Sequence, residues 1–185
     1  NRSHIIEKYS KKYLFKESNL FFDWYLPLFL SKKRASNIKI KSNKILLKLY
    51  NRLNFTNSYF VHRDYHAQNL MKVGKKIGVI DTQDALIGNP AYDLVSLVDD
   101  VRIKTSIKLK NKIYNYYLKK NSKIRKINSK KFLEDFKILS VQRSLKIIGI
   151  FSRLFIRDKK KQYLKFIPYT WQLLEMRMGS KIFLE

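Results

Sequence analysis

Two short apolar runs, Leu70-Met71-Lys72-Val73 and Lys76-Ile77-Gly78-Val79-Ile80, are separated by Gly74-Lys75 alone. A break this short reads as a two-residue reversal between antiparallel strands, because a parallel pair needs a crossover of a dozen residues or more. Counting outward from the turn, Val73 faces Lys76, Met71 faces Gly78 and Asn69 faces Ile80. Asn69 and Asp81 are therefore expected side by side at the open end of the ladder.

The residues leading into the hairpin are His62-Arg63-Asp64-Tyr65-His66-Ala67-Gln68-Asn69, with Asp81 twelve residues after Asn69. An aspartate five residues before an asparagine, with a second aspartate beyond a short hairpin, is the spacing of a phosphoryl-transfer loop and its metal-binding aspartate. An amide oxygen and a carboxylate at one strand end suit magnesium, a hard cation that keeps waters and leans on substrate phosphates. Asp64 lies upstream of that pair, free to orient a substrate hydroxyl and accept its proton. Taken singly, each of these residues reads as a solvated loop residue or a turn cap. Their order around one hairpin carries the kinase reading.

Beyond Asp81 the chain departs from a protein kinase. Thr82-Gln83 follows where Phe-Gly is usual, and eleven residues separate Asp81 from Asp93, too few for a regulated activation segment. Gly88-Asn89-Pro90 breaks the chain, and a helical pattern runs on from Tyr92. Asp93, where that helix starts, is either a helix cap or the anchor of the catalytic-loop backbone. Asp84 either accepts a hydrogen bond from the acceptor or caps the turn before Gly88. His62 packs and hydrogen-bonds inside the loop, and His66 holds loop shape or touches the acceptor hydroxyl. Arg63 is expected in a structural salt bridge.

Four segments, VHRDYHAQNLM, GVIDTQDALIGNPAYDLVSLVDD, NLFFDWYL and QRSLKIIGIFSRLFIRD, resemble the aminoglycoside phosphotransferase superfamily, and within it the anomeric kinases of N-acetylmuramate and N-acetylglucosamine. The resemblance implies an α+β, mostly α fold: a protein-kinase-like C-terminal lobe with one short catalytic β-hairpin. It implies a cytoplasmic enzyme using ATP and Mg2+ that phosphorylates a cell-wall-derived sugar for peptidoglycan recycling. Asp64 would be the catalytic base, and Asn69 and Asp81 the magnesium ligands. Ala67-Gln68 stands where relatives often carry Ser-Arg, and Thr82 replaces a common Phe. No phosphate-covering loop or Lys-Glu pair precedes residue 19, so residues 1–185 are expected to form the C-terminal lobe, with the nucleotide lobe absent.

The 40 Lys and Arg against 14 Asp and Glu, a net charge of +26, invite a rival reading as a non-catalytic basic module that binds nucleic acid. The basic residues spread over the whole chain, and Lys, Ile, Asn and Tyr abound together, as in a low-GC coding bias. No dedicated nucleic-acid partner is therefore expected, and the scarcity of acidic residues argues against a polycationic acceptor. The partners expected are ATP and a neutral or anionic sugar. No apolar run reaches the length of a membrane span, and the zero cysteines exclude a disulfide framework.

Helices are expected from a Ser18 cap to Pro27 or slightly beyond, over Ile38 to Leu53 beneath the catalytic loop, over Ile107 to Leu118, over Phe132 to Ile156, and over Tyr169 to Met178 after an interruption at Pro168. Gln142, Arg143, Lys146 and Arg153 fall on or near the most apolar of these. The charged ones need an ion-pair partner, an Asp or Glu of a neighbouring helix, or, for Arg143, the acceptor sugar.

Overall fold

The computed structural model describes residues 6–55, 59–125 and 127–183. Along the chain run α1 (Lys11–Leu20), α2 (Lys32–Asn51), β1 (Tyr59–Val61), β2 (Leu70–Val73), β3 (Lys76–Val79), β4 (Leu86–Gly88), α3 (Ala91–Val98), α4 (Ile107–Arg125), α5 (Ser129–Ile156) and α6 (Ile167–Met178). The fold is α+β and mostly α. It divides into two compact units, residues 1–10 with 54–136, and residues 11–53 with 137–185.

In the first unit β2 and β3 pair antiparallel with Val73 opposite Lys76 and Met71 opposite Gly78, the register expected from the turn. The ladder extends one step, since the Ile80 amide donates to the Asn69 carbonyl at 3.1 Å. The positive φ of 59° falls on Gly74, the first central position, where a side chain would be strained.

A second two-stranded sheet was not expected. β1 pairs antiparallel with β4, Tyr59 opposite Gly88 and Val61 opposite Leu86. Residues 7–9 extend this sheet as a parallel edge: Tyr9 donates to Ile87 O at 2.7 Å, and Ile87 donates to Glu7 O at 2.8 Å. The single hairpin of the expected fold is thus joined by a sheet whose strands are too short to show a periodicity, and whose partners are separated in the chain by the whole catalytic loop.

α3 starts at Pro90, and the Asn89 side-chain carbonyl accepts the Ala91 N–H at 3.0 Å. Its Ala91, Tyr92, Val95 and Val98 are buried, which fixes the helix rotation and hence the direction of Asp93. Lys110 of α4 is buried, its ammonium donating to Val98 O at 2.7 Å and pairing with Asp99 at 3.2 Å at the C-terminal end of α3, where a cation complements the helix dipole.

In the second unit, α1 lies earlier than the sequence pattern suggested and is followed by a wide turn of π-helix at Phe21–Tyr25 and a 3-10 turn at Leu26–Leu28. Ser18 is not a cap. It sits inside α1, bonding back to Leu14 O at 2.8 Å and to the Tyr50 hydroxyl. α2 begins six residues before the expected Ile38, at a true cap, Ser31, which accepts the Arg34 N–H. It buries Ala35, Leu46, Leu49 and Tyr50 while Ile45 is exposed. Pro168 lies in the first turn of α6, where its missing N–H costs nothing, rather than breaking the segment.

Two polar groups of α5 in this unit, Lys146 and Gln142, find a partner on a neighbouring helix. Glu17 of α1 pairs with Lys146 at 3.1 Å and accepts from Gln142 Nε2 at 3.0 Å, all three side chains being buried. Next to them α5 presents Gly149, where an added Cβ would lie 2.5 Å from the Phe21 backbone nitrogen. The absence of a side chain there lets the π turn approach α5. Trp171 of α6 donates to the Tyr25 hydroxyl at 3.0 Å on the same turn.

Candidate active site

β1 ends at the fully buried Val61 and delivers His62 to the loop. The Asp93 carboxylate accepts the His62 N–H at 2.7 Å and the Arg63 N–H at 3.0 Å, so it grips the loop backbone directly. That grip holds Arg63 at φ 72°, a left-handed conformation costly for any residue with a Cβ. His62 ties the loop to the hairpin through Nε2 and Ile80 O at 2.8 Å, while the Asp64 N–H points at Nδ1 at 3.3 Å. A carbonyl only accepts and an amide only donates, so Nε2 is the donor nitrogen and Nδ1 the acceptor.

Asn69 closes a single 3-10 turn, Ala67–Asn69, its N–H donating to His66 O at 2.9 Å. Its side-chain Nδ2 donates to Asp64 O at 2.9 Å and points at Asp81 Oδ2 at 3.4 Å. The nitrogen being engaged on these oxygens, Oδ1 is the end left to a ligand. Asp81 is held at φ 69°, and Gln83 Nε2 donates to its Oδ1 at 2.5 Å. The Asn69 and Asp81 side chains thus meet at one end of the hairpin, with the Asp64 backbone carbonyl bonded to the same amide.

An amide oxygen and a carboxylate form an oxygen-only donor set that fits magnesium or another hard cation supplied with further oxygens by water and phosphate. Among the described residues no cluster of three or more His, Cys, Asp or Glu suits a metal held by protein alone.

His66 is buried beside the turn, and Asp84 is exposed. The Asp84 backbone carbonyl accepts from Arg63 Nη1 at 2.9 Å, and the same guanidinium lies 5.4 Å from the Tyr9 ring centre. Arg143 is buried on α5 in the second unit. A cavity of about 460 Å3, lined by Tyr59, Tyr65, Asp93, Leu94, Ile113 and Tyr117 among others, borders the loop. Asp93, whose carboxylate grips the loop, is thus also among the residues lining a space of ligand size.

Three contributors were missed from the sequence. Gln83 braces Asp81. Asp100 accepts the Ala67 N–H at 3.2 Å. Asp135, fully buried on α5, accepts from Asn54 N–H and Nδ2, Phe55 N–H and Asn89 Nδ2, so it holds the approach to β1 and the start of α3 together. The only available signal was a scarcity of acidic residues, which makes each one more informative.

Residues 45–126 match the model of the phosphotransferase enzyme family. Among similar proteins, the N-acetylmuramate/N-acetylglucosamine kinase of Pseudomonas aeruginosa is 34% identical over 181 residues, covering 96% of this chain and 53% of that protein. The protein of the same name from Neisseria meningitidis serogroup B is 31% identical over 171 residues, covering 91% and 51%. That from Caulobacter vibrioides is 34% identical over 122 residues, covering 63% and 33%. The chain spans about half the length of the first two relatives. None of the helices is long and apolar enough to cross a membrane among the described residues. The family match contains the loop, both hairpin strands and α3, so it is this part of the chain that is similar to the phosphotransferase enzyme family.

Proposed function

We propose that this chain carries the catalytic loop of an ATP- and magnesium-dependent kinase that phosphorylates the anomeric hydroxyl of N-acetylmuramate or N-acetylglucosamine, in the cytoplasm where ATP is available. The observation that carries the phosphotransfer reading is the hydrogen-bonded grouping of Asp64, Asn69 and Asp81 at the end of β2 and β3. The names of the relatives support the sugar, and the shortage of acidic residues disfavours a cationic acceptor.

In the reaction the sugar hydroxyl gives its proton to Asp64, its oxygen bonds to the γ-phosphorus, and the bond from phosphorus to ADP breaks. Asp64 acts chiefly by orienting the attacking oxygen, because a loose transition state asks little of a base. Asn69 Oδ1 and the Asp81 carboxylate would hold the cation, which when bound neutralises charge on the phosphates. Asp93 and His62 keep Asp64 in register with that pair by tying the loop to α3 and to Ile80.

The test is a polypeptide containing this chain at its full native length, assayed with ATP, Mg2+ and each sugar, the product identified as an anomeric phosphate by 31P NMR. Asp64→Asn should lower the rate by roughly 10²–10⁴-fold with the fold intact. A variant as fast as the parent refutes the role of Asp64, and no transfer to either sugar refutes the substrate.

A further inference from the structure

We infer that Asp100 is a positioning residue, a carboxylate delivered from just beyond α3 that caps the turn carrying Asn69. The inference rests on the reading of Asn69 as a cation ligand.

The turn Ala67–Asn69 opens on His66, whose side chain makes no capping bond. The N–H groups at the start of such a turn have no partner within it. Asp100 Oδ2 supplies one, 3.2 Å from the Ala67 nitrogen. Its other oxygen accepts the Arg102 N–H at 3.0 Å, and the Arg102 guanidinium lies 4.0 Å away. The bond to Arg102 is local and would form as well at the surface. Yet Asp100 is only 3% exposed, and burial of a carboxylate is unfavourable unless its bonds offset the lost water. The bond to Ala67 is the one that requires this position.

The adjacent Asp99 does different work, pairing with Lys110 at the end of α3. Asp93 holds residues 62 and 63, and Asp100 holds residue 67. One short helix and the residues just after it therefore bracket Asp64 with two carboxylates seven residues apart. Releasing the second should leave the loop attached at its start and free at Asn69. Cation binding and turnover would suffer while the fold survived.

The design of the test uses the backbone itself. His66 lies at φ −122°, ψ 167°, a conformation suited to the residue before proline, and residue 67 is the first of its turn. Ala67→Pro therefore removes the N–H that Asp100 binds at a position that tolerates proline. In the full-length kinase, Asp100→Ala should lower kcat roughly tenfold to a hundredfold and weaken Mn2+ binding, read by electron paramagnetic resonance, by a similar factor. The KM for the sugar should move by less than about threefold, and Asp100→Asn, which keeps an acceptor oxygen, should recover most of the loss.

In the Ala67→Pro background the same Asp100→Ala change should cost less than about threefold, because the shared bond is already gone. The Ala67 amide should exchange slowly with solvent in the parent and rapidly in Asp100→Ala. Equal losses in both backgrounds, no loss in either, or a freely exchanging Ala67 amide in the parent overturns the inference. If Ala67→Pro does not fold, amide exchange decides. A parent protein that neither transfers phosphate nor binds Mn2+ defeats the kinase reading instead, and exchange at Ala67 still judges the tether.

Discussion

Removing the Asp135 carboxylate should be among the most damaging single changes available in the first unit. Asp135 is fully buried, and four amide donors converge on it at 2.6–3.0 Å: Asn54 N–H and Nδ2, Phe55 N–H, and Asn89 Nδ2. In Asp135→Ala these donors lose their acceptor. Asn54 is exposed, so water can replace its bonds, but Asn89 is buried and Phe55 partly so. Each stranded donor costs about 1–3 kcal/mol, and those to a charged acceptor sit at the upper end, so the expected loss is about 3–5 kcal/mol. Against a total stability of roughly 5–15 kcal/mol for a typical domain this is a large fraction.

Asp135→Asn is the sharper probe. It keeps the volume, but its NH2 must face two of the four donors whichever way the amide turns, so about 2–4 kcal/mol should still be lost. Asn89→Ala should cost at least about 1 kcal/mol less in the Asp135→Ala background than alone, since the stranded amide goes with it. Urea unfolding followed by circular dichroism gives each value, with an unchanged denaturant slope as the control. A loss below about 1 kcal/mol for Asp135→Ala, or an Asp135→Asn protein matching the parent, would refute the argument.

Asp93→Ala should free the His62 and Arg63 amides and lower kcat by at least roughly tenfold, with far-ultraviolet circular dichroism unchanged. Glu17→Gln should strand the buried Lys146 ammonium at a cost of about 3–5 kcal/mol, whereas Glu17→Met together with Lys146→Leu should restore most of it in the same denaturation assay. Gly149→Ala should lower stability by about 1–3 kcal/mol or more, seen as a fall in Tm, because the added methyl meets backbone rather than a side chain that can move aside. The hydrogen bond from Arg157 holds the Asp158 carboxyl below its ordinary range, so the contribution of this pair is present above that range and fades as pH falls through it. Arg157 is exposed and the Asp158 side chain is 27% exposed, so water reaches the pair and Asp158→Asn should leave Tm nearly unchanged at neutral pH.

What was legible in advance is what is local. The hairpin register followed from a two-residue break, and with it the adjacency of Asn69 and Asp81, because side-chain positions along a ladder are set by counting from the turn. The long apolar pattern in α5 and the periodic faces of α3 and α4 marked those helices, with ends displaced by a few residues, or by seven at the C-terminus of α4. Ser18 misled because a serine before apolar residues resembles a cap, yet Leu14 and Tyr50 offered its hydroxyl better use inside α1.

Of the residues that hold the site in shape, His62 and, as one of two alternatives, Asp93 were legible, and Gln83, Asp100 and Asp135 were not. Nothing near Asp93 in the chain distinguishes a helix cap from a grip on His62 and Arg63. Nothing near Asp100 or Asp135 names Ala67, Asn54 or Asn89 as partners. The pairing of β1 with β4 brings together segments separated by the entire loop. Periodicity reports which face of an element is apolar. A carboxylate's choice among distant backbone amides depends on where the packed helices leave it, and that is decided only once the chain has closed on itself.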